Sequence, residues 1–314
     1  MKTGTFILCA VMVLMPRFLF AADASKTRKQ WQITNEIISV TISARDAGAV
    51  CSLVYGGKEF VNDDDHGRQM QVAWIYNDMD EAYNPTEAGS CRDGTGSKTT
   101  SQLLSVQIQS NTLRTVNHPA YWRHTDIPEK HRNNTALVTR DTLAKKITLG
   151  HDGNPNVLVF DTVVTISPEL TGPPVTSMRI EAPTLYATAD LSRHYLFNLA
   201  SGALTSVPSR SNRKNILNTR ISRVTRRDLI PILSSPDGRY SVAFYTPQAE
   251  NFWAYFTWDV PGICVKVTTF FKHAVKTGQS YSYRNFVIVG DMATVKASAM
   301  QLHKRESKGI TYEY

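Results

Sequence analysis

From Glu36 to the C-terminal region, apolar and polar residues alternate with a period of two, which leaves room for little other than β-sheet. Successive strand side chains point to opposite faces, so this alternation predicts strands with one face buried. Glu36–Ile42 puts Ile38, Val40 and Ile42 on one face. A turn at Asp46-Ala47-Gly48 leads to Ala49–Val54, and Gly56-Gly57 closes a hairpin before Glu59-Phe60-Val61. Further strands are expected at Arg68–Tyr76, Leu103–Ile108, Leu137–Leu143, Lys145–Leu149, Val157–Ile166, Met178–Ile180, Tyr195–Leu199, Ser241–Tyr245, Ile263–Phe271 and Tyr281–Val289. Pro, Gly and Asp clusters such as Asp152-Gly153-Asn154-Pro155 and Pro236-Asp237-Gly238 punctuate them. Helical periodicity is confined to Asp291–His303, where Val295, Ala299 and Leu302 share a face. No internal repeat or low-complexity linker interrupts the 314 residues. The pattern favours one large antiparallel sandwich over residues 23–314 rather than two separable domains.

Residues 1–22 read as a signal peptide. Lys2 supplies the basic start, Phe6–Met15 is an apolar run too short to span a bilayer, and Ala22-Asp23-Ala24 fits the small-x-small cleavage rule, with the cut after Ala22 or Ala24. The protein is therefore expected to be secreted or periplasmic. The mature chain keeps Cys51, Cys91 and Cys264, which allows one disulfide with a free thiol or three buried thiols. If a bridge forms, Cys51–Cys91 is the expected pair, since both flank the same β-rich segment. No CxxC pair exists, so neither a zinc ribbon nor a thioredoxin-like site is supported. The formal net charge of +8 favours anionic partners. Arg210, Arg213, Lys214, Arg220, Arg223, Arg226 and Arg227 form its densest cluster.

The stretch Gly48-Ala49-Val50-Cys51-Ser52-Leu53 followed by Gly57-Lys58-Glu59-Phe60-Val61 resembles the start of galactose-mutarotase-like domains. The end is similar too: Lys276–Tyr281, then Arg284–Gly290, then a short helix. In the middle, Asn84-Pro85-Thr86-Glu87-Ala88-Gly89 and the strand Asn156–Asp161 resemble a set of exported bacterial proteins. The resemblance implies an all-β, large antiparallel β-supersandwich with a short C-terminal helix. It also implies a carbohydrate ligand. Because one fold hosts many activities, it implies no particular reaction. The carboxylate–histidine set of aldose epimerases cannot be placed by motif, so a polysaccharide lyase or glycosidase is expected ahead of a simple epimerase. A non-catalytic glycan-binding or envelope-associated protein is the alternative.

Several residues could serve such a ligand. In the loop after the Arg68–Tyr76 strand, Asn84 offers an amide to sugar hydroxyls and Glu87 a carboxylate for base or acceptor duty. Gln69 and Gln71 share one strand face, opposite Arg68, Met70, Val72 and Trp74, while Arg68 suits a carboxylate partner. Tyr121 and Trp122 could stack on a sugar ring beside His124. His194 and Tyr195 form a pair suited to proton abstraction next to a uronate carboxyl. The catalytic candidates are thus Glu87, His194, Tyr195 and His124, and the substrate-binding candidates Arg68, Gln69, Gln71, Asn84, Tyr121 and Trp122. No cofactor is expected. The spacing of His118, His124 and His131 matches no common metal motif, and Asp63-Asp64-Asp65-His66 lacks the spacing of a calcium loop. The expected partner is carbohydrate, including anionic polysaccharide, and not nucleic acid. Asn133-Asn134-Thr135 is a formal glycosylation sequon.

Overall fold

The computed structural model describes residues 29–79, 83–123, 136–169, 174–207, 228–247 and 264–306, with backbone alone for 218–220 and 255–258. The expected signal peptide, His124, His131, the sequon and most of the arginine cluster lie outside the described residues.

In chain order the strands begin with β1 (Gln30–Thr34), β2 (Ile38–Ser43), β3 (Val50–Tyr55), β4 (Lys58–Glu59), β5 (Met70–Tyr76), β6 (Pro85–Thr86) and β7 (Gln102–Gln109). They continue with β8 (Thr112–His118), β9 (Ala120–Tyr121), β10 (Thr142–His151), β11 (Asn154–Thr165), β12 (Ser177–Thr188), β13 (Arg193–Asn198) and β14 (Leu204–Ser206). Then come β15 (Asn218–Arg220), β16 (Leu229–Ser234), β17 (Ser241–Tyr245), β18 (Tyr255–Trp258), β19 (Cys264–Ala274), β20 (Ser280–Gly290) and the helix α1 (Met292–Glu306).

Two antiparallel sheets result. The first runs β1-β2-β3-β5-β12-β19-β18-β15, with β4, β6 and β9 attached beside β3 and β5. The second runs β14-β13-β16-β17-β20-β11-β10-β8-β7. Their facing sides interdigitate: Ile38, Val40, Leu53, Val72 and Trp74 from the first meet Ile147, Phe160, Val164, Phe244 and Val287 from the second. Each such side chain contributes roughly 1.5–3 kcal/mol of burial. The far side of the second sheet is apolar as well, and Val157, Ile230, Ile232 and Ile288 there receive Val295, Ala299 and Leu302 of α1. Asp291 caps this helix by accepting the Thr294 N–H at 2.7 Å, which also lowers the Asp291 pKa. Among the described residues, no helix packs on the outer face of the first sheet. Among the described residues, no helix is long and apolar enough to cross a membrane.

Most expected strands are present and β1, β8 and β16 are found besides them, while two expected strand assignments and the expected disulfide change. The Leu137–Leu143 and Lys145–Leu149 strands are replaced by one, β10, that begins only at Thr142. Before it the backbone is turned by Asp141, whose buried carboxylate accepts the Ser167 N–H at 2.8 Å and the Tyr76 hydroxyl at 2.6 Å. Met178–Ile180 extends to twelve residues as β12, running through Pro183. No disulfide joins Cys51 and Cys91, and none forms among the three described cysteines. Cys51 is buried, and that burial, with Asp63 and Asp46 nearby, pushes its pKa up to about 12.

Candidate functional site

The outer face of the first sheet carries a groove of about 520 Å³. Strand alternation supplies its floor. On β5, Met70, Val72, Trp74 and Tyr76 point into the core, so Gln71, Ala73 and Ile75 point out. On β12 the outward set is Arg179, Glu181, Thr184 and Tyr186, and on β19 it includes Lys266 and Phe270. The run from Glu181 to Thr184 breaks the period-two rule, because β12 carries one extra residue there. Glu181 pairs with Ala73 and Phe270, and Thr184 with Gln71 and Thr268, so three steps on β12 match two on each neighbour. This bulge keeps both side chains on the groove.

Three loops build the walls. Asp65, Gly67 and Arg68 precede β5, Asn84 and Thr86 border β6, and Trp122 and Arg123 follow β9. The β6–β9 bridge and the Trp122 N–H to Asn84 carbonyl hydrogen bond of 2.8 Å fix the last two walls together. Gly67 lets the indole close in: a Cβ on it would lie 2.7 Å from Trp122 Cη2.

Charge in the groove is unbalanced, with Arg68, Arg123, Arg179 and Lys266 against Asp65 and Glu181 among the described lining residues. Arg68 pairs with Asp65 and lies 3.8 Å from Asp64. Lys266 Nζ contacts both Glu181 oxygens, at 3.0 and 2.9 Å, and sits 5.1 Å from the Tyr186 ring centre. Burial works to discharge Lys266, but Glu181 and Tyr186 outweigh it and hold its pKa above the usual lysine value. Arg179 lies over the Phe270 ring at 5.8 Å. Two oxygens at the groove, Asn84 Oδ1 and Thr184 Oγ1, are buried without a hydrogen-bond partner, and Thr184 is 1% exposed.

Of the substrate-binding residues expected from sequence, Arg68, Gln71, Asn84 and Trp122 meet in this groove. Arg68 does so from the loop before β5 rather than from a strand face shared with Met70, Val72 and Trp74. Gln71 is already held, its amide donating to the Gly67 carbonyl at 3.0 Å and accepting the Ala88 N–H at 3.0 Å, so it shapes the groove more than it binds. Gln69 is fully buried below the floor, its Nε2 2.9 Å from Asp63 Oδ1. Tyr121 is buried edge-on against Tyr83 at 6.3 Å, so Trp122 alone of the aromatic pair faces the groove.

Among the described residues, the expected catalytic residues Glu87, His194 and Tyr195 do not come together; His124 lies outside the described residues. Glu87 is enclosed between the sheets, with one oxygen paired with Lys145 and the other accepting the Val72 N–H at 2.9 Å, so both are engaged within the core. His194 and Tyr195 belong to β13 in the other sheet and point to opposite faces. Tyr195 packs toward the α1 layer, and burial pushes His194 down to about 4. Arg179, Glu181, Thr184, Tyr186, Lys266 and Phe270 were not singled out from the sequence. The available signal was Lys266 alone in an apolar run, Cys264-Val265-Lys266-Val267.

No family model matches the chain, and no curated protein matches it. Solved structures do. A candidate aldose 1-epimerase from Klebsiella pneumoniae is 10% identical over 91% of this chain and 86% of its own, with a TM-score of 0.51. A galactose mutarotase related enzyme from Lactobacillus acidophilus is 9% identical, covering 84% of this chain and 98% of its own, TM-score 0.48. A galactose mutarotase-like protein from Lactobacillus casei is 13% identical, covering 83% and 100%, TM-score 0.47. Two antiparallel sheets face to face, a single C-terminal helix among the described residues, and the Klebsiella match together give this chain the galactose-mutarotase-like sandwich fold.

Proposed function

We propose that this is an exported protein whose groove binds a carbohydrate bearing acidic groups. The observation that carries the reading is the pair of buried oxygens without partners, Asn84 Oδ1 and Thr184 Oγ1, at a groove that also presents Trp122 and Phe270. A buried polar atom left unpaired costs roughly 1–3 kcal/mol, and a small rotation of either side chain toward the groove would let a sugar hydroxyl pair with it. An indole and a phenyl ring suit the CH-rich face of a pyranose. The excess of arginine and lysine over carboxylate favours uronate or another acidic substituent. Solved relatives described as a galactose mutarotase related enzyme and a candidate aldose 1-epimerase agree with a sugar ligand.

A second reading, β-elimination on a uronate, is favoured by Tyr186 standing beside Lys266 and opposite it in register. The ammonium would stabilise the phenolate, which takes the proton from the carbon α to the uronate carboxyl. Arginine neutralises that carboxyl. The carbon–oxygen bond to the leaving sugar then breaks, a carbon–carbon double bond forms, and the new phenol returns the proton to the leaving oxygen.

Affinity electrophoresis of the mature protein in gels containing neutral or uronic-acid polysaccharide tests the first reading. Retardation by the acidic polymers that is lost in Thr184→Val supports it, and free migration in every gel overturns it. Absorbance near 235 nm on the same polymers decides the second, since unsaturated uronate ends absorb there.

A further inference from the structure

A second polar cluster lies on the opposite side of the molecule, where the tip of the β10–β11 hairpin meets the last turn of α1. His151 Nε2 lies 3.1 Å from Glu306 Oε1 and 3.7 Å from Asp152 Oδ2. One ligand atom from each of the three lies within 4.8 Å of the others. Around a tetrahedral zinc ion with bonds of roughly 2.0–2.2 Å, neighbouring ligand atoms are about 3.3–3.6 Å apart. The two observed separations fall on either side of that value, so an ion at the centre needs only small side-chain shifts.

The supporting structure holds the three in place. The His151 ring packs on Phe286, with centroids 5.0 Å apart. Asp152 sits at the hairpin tip with φ of 49°, followed by Gly153 at 75°, a pair of left-handed residues that fixes the turn. Asn154 ties the tip to the helix through Ser298 Oγ at 2.9 Å. Arg305 contacts Asp152 Oδ2 at 3.1 Å, the kind of outer partner that orients ligating carboxylates. The neighbouring Arg284 is engaged by Asp161 at 2.6 and 2.9 Å.

We propose that His151, Asp152 and Glu306 bind one divalent transition-metal ion of the zinc class, with water in the fourth position, and that the ion fastens the hairpin to the C-terminal helix. One imidazole and two carboxylates suit zinc, and cobalt(II) in the same place.

Isothermal titration of the full mature protein with zinc chloride tests this, with cobalt(II) absorption as a second readout. One ion per chain is expected, with the intense visible bands of a four-coordinate cobalt site. His151→Ala and Glu306→Gln should each weaken binding about 10- to 100-fold. Glu306 ends the helix, so its variant keeps the fold, and far-UV circular dichroism checks that. Unchanged zinc affinity in both folded variants overturns the proposal. So does the absence of uptake by wild type at millimolar zinc.

Discussion

Glu87 and Lys145 meet as an ion pair from opposite sheets, and neither side chain reaches solvent. Lys145 also donates to the Gly48 carbonyl at 2.7 Å and lies 5.7 Å from the Phe160 ring. Removing one partner strands a charge in the core, which typically costs roughly 3–5 kcal/mol. Glu87→Gln is therefore expected to lower stability by about that amount, and Glu87→Gln with Lys145→Met by much less than the sum of the singles. Urea unfolding of the three variants measures this. Additive losses would show that the two residues do not act as a pair.

Asp141 supplies a pH dependence of its own. Burial raises its pKa above the usual 3.8, against the hydrogen bonds from Tyr76, Ser167 and Thr139 that pull it down. The native state then holds the proton longer than the unfolded chain. The Asp141 contribution is complete below the unfolded value and declines as pH rises through the raised folded value. Urea midpoints of wild type and Asp141→Asn across acidic pH should show the wild type losing its advantage in that direction.

His194 acts with the opposite sign. Its folded pKa of about 4 lies below the ordinary 6.5 because it is buried. The neutral ring is favoured in the native state, so its share of stability is present above 6.5 and is lost as pH falls toward 4. The shift corresponds to something on the order of 3 kcal/mol. His194→Leu should flatten the stability profile between those pH values, and a profile as steep as wild type would remove His194 as the cause.

In the groove, Asn84→Ala and Thr184→Val each remove one unpaired oxygen without disturbing a hydrogen bond seen in the protein. Affinity for the bound glycan should fall about three- to tenfold for each, with thermal stability unchanged or raised. Gly67→Ala should act through Trp122, displacing the indole that lies 2.7 Å from the added methyl position and weakening binding more than folding. Equal affinity in all three variants would place the ligand elsewhere.

Lys266→Gln removes a cation and leaves Glu181 in the groove without its 2.9 Å partner. Affinity for acidic polymers should fall, and the slope of log affinity against log salt should become shallower. A steeper slope would contradict an electrostatic role.

The alternation that announced the sheets is the same property that hid much of the groove. It separates core from surface on a strand but does not say which surface is concave, so Gln69 and Gln71 looked equivalent although one lies beneath the floor. Glu87 was conspicuous as a carboxylate in a loop, yet its partner Lys145 is in the other sheet and no local pattern joins them. The Asn84 loop and Trp122 were legible because Pro, Gly and aromatic residues in a polar stretch mark an ordered wall. The expected strand ended at Ile180, so Glu181, Thr184 and Tyr186 were lost with the rest of β12, which runs on through Pro183.

That proline lies in the bulge, and the bulge has an effect beyond placing two side chains. It bends β12 into two half-strands that keep the same outward face. Deleting either Ala182 or Pro183 would make two steps on β12 match two on each neighbour, restoring strict alternation with Arg179, Glu181, Thr184 and Tyr186 all still outward. What the extra residue changes is the local bend and twist of β12, not which side chains face the groove. A one-residue deletion at the bulge should therefore be tolerated better than one in the regular part of β12, where the same change would turn half of the strand's side chains over.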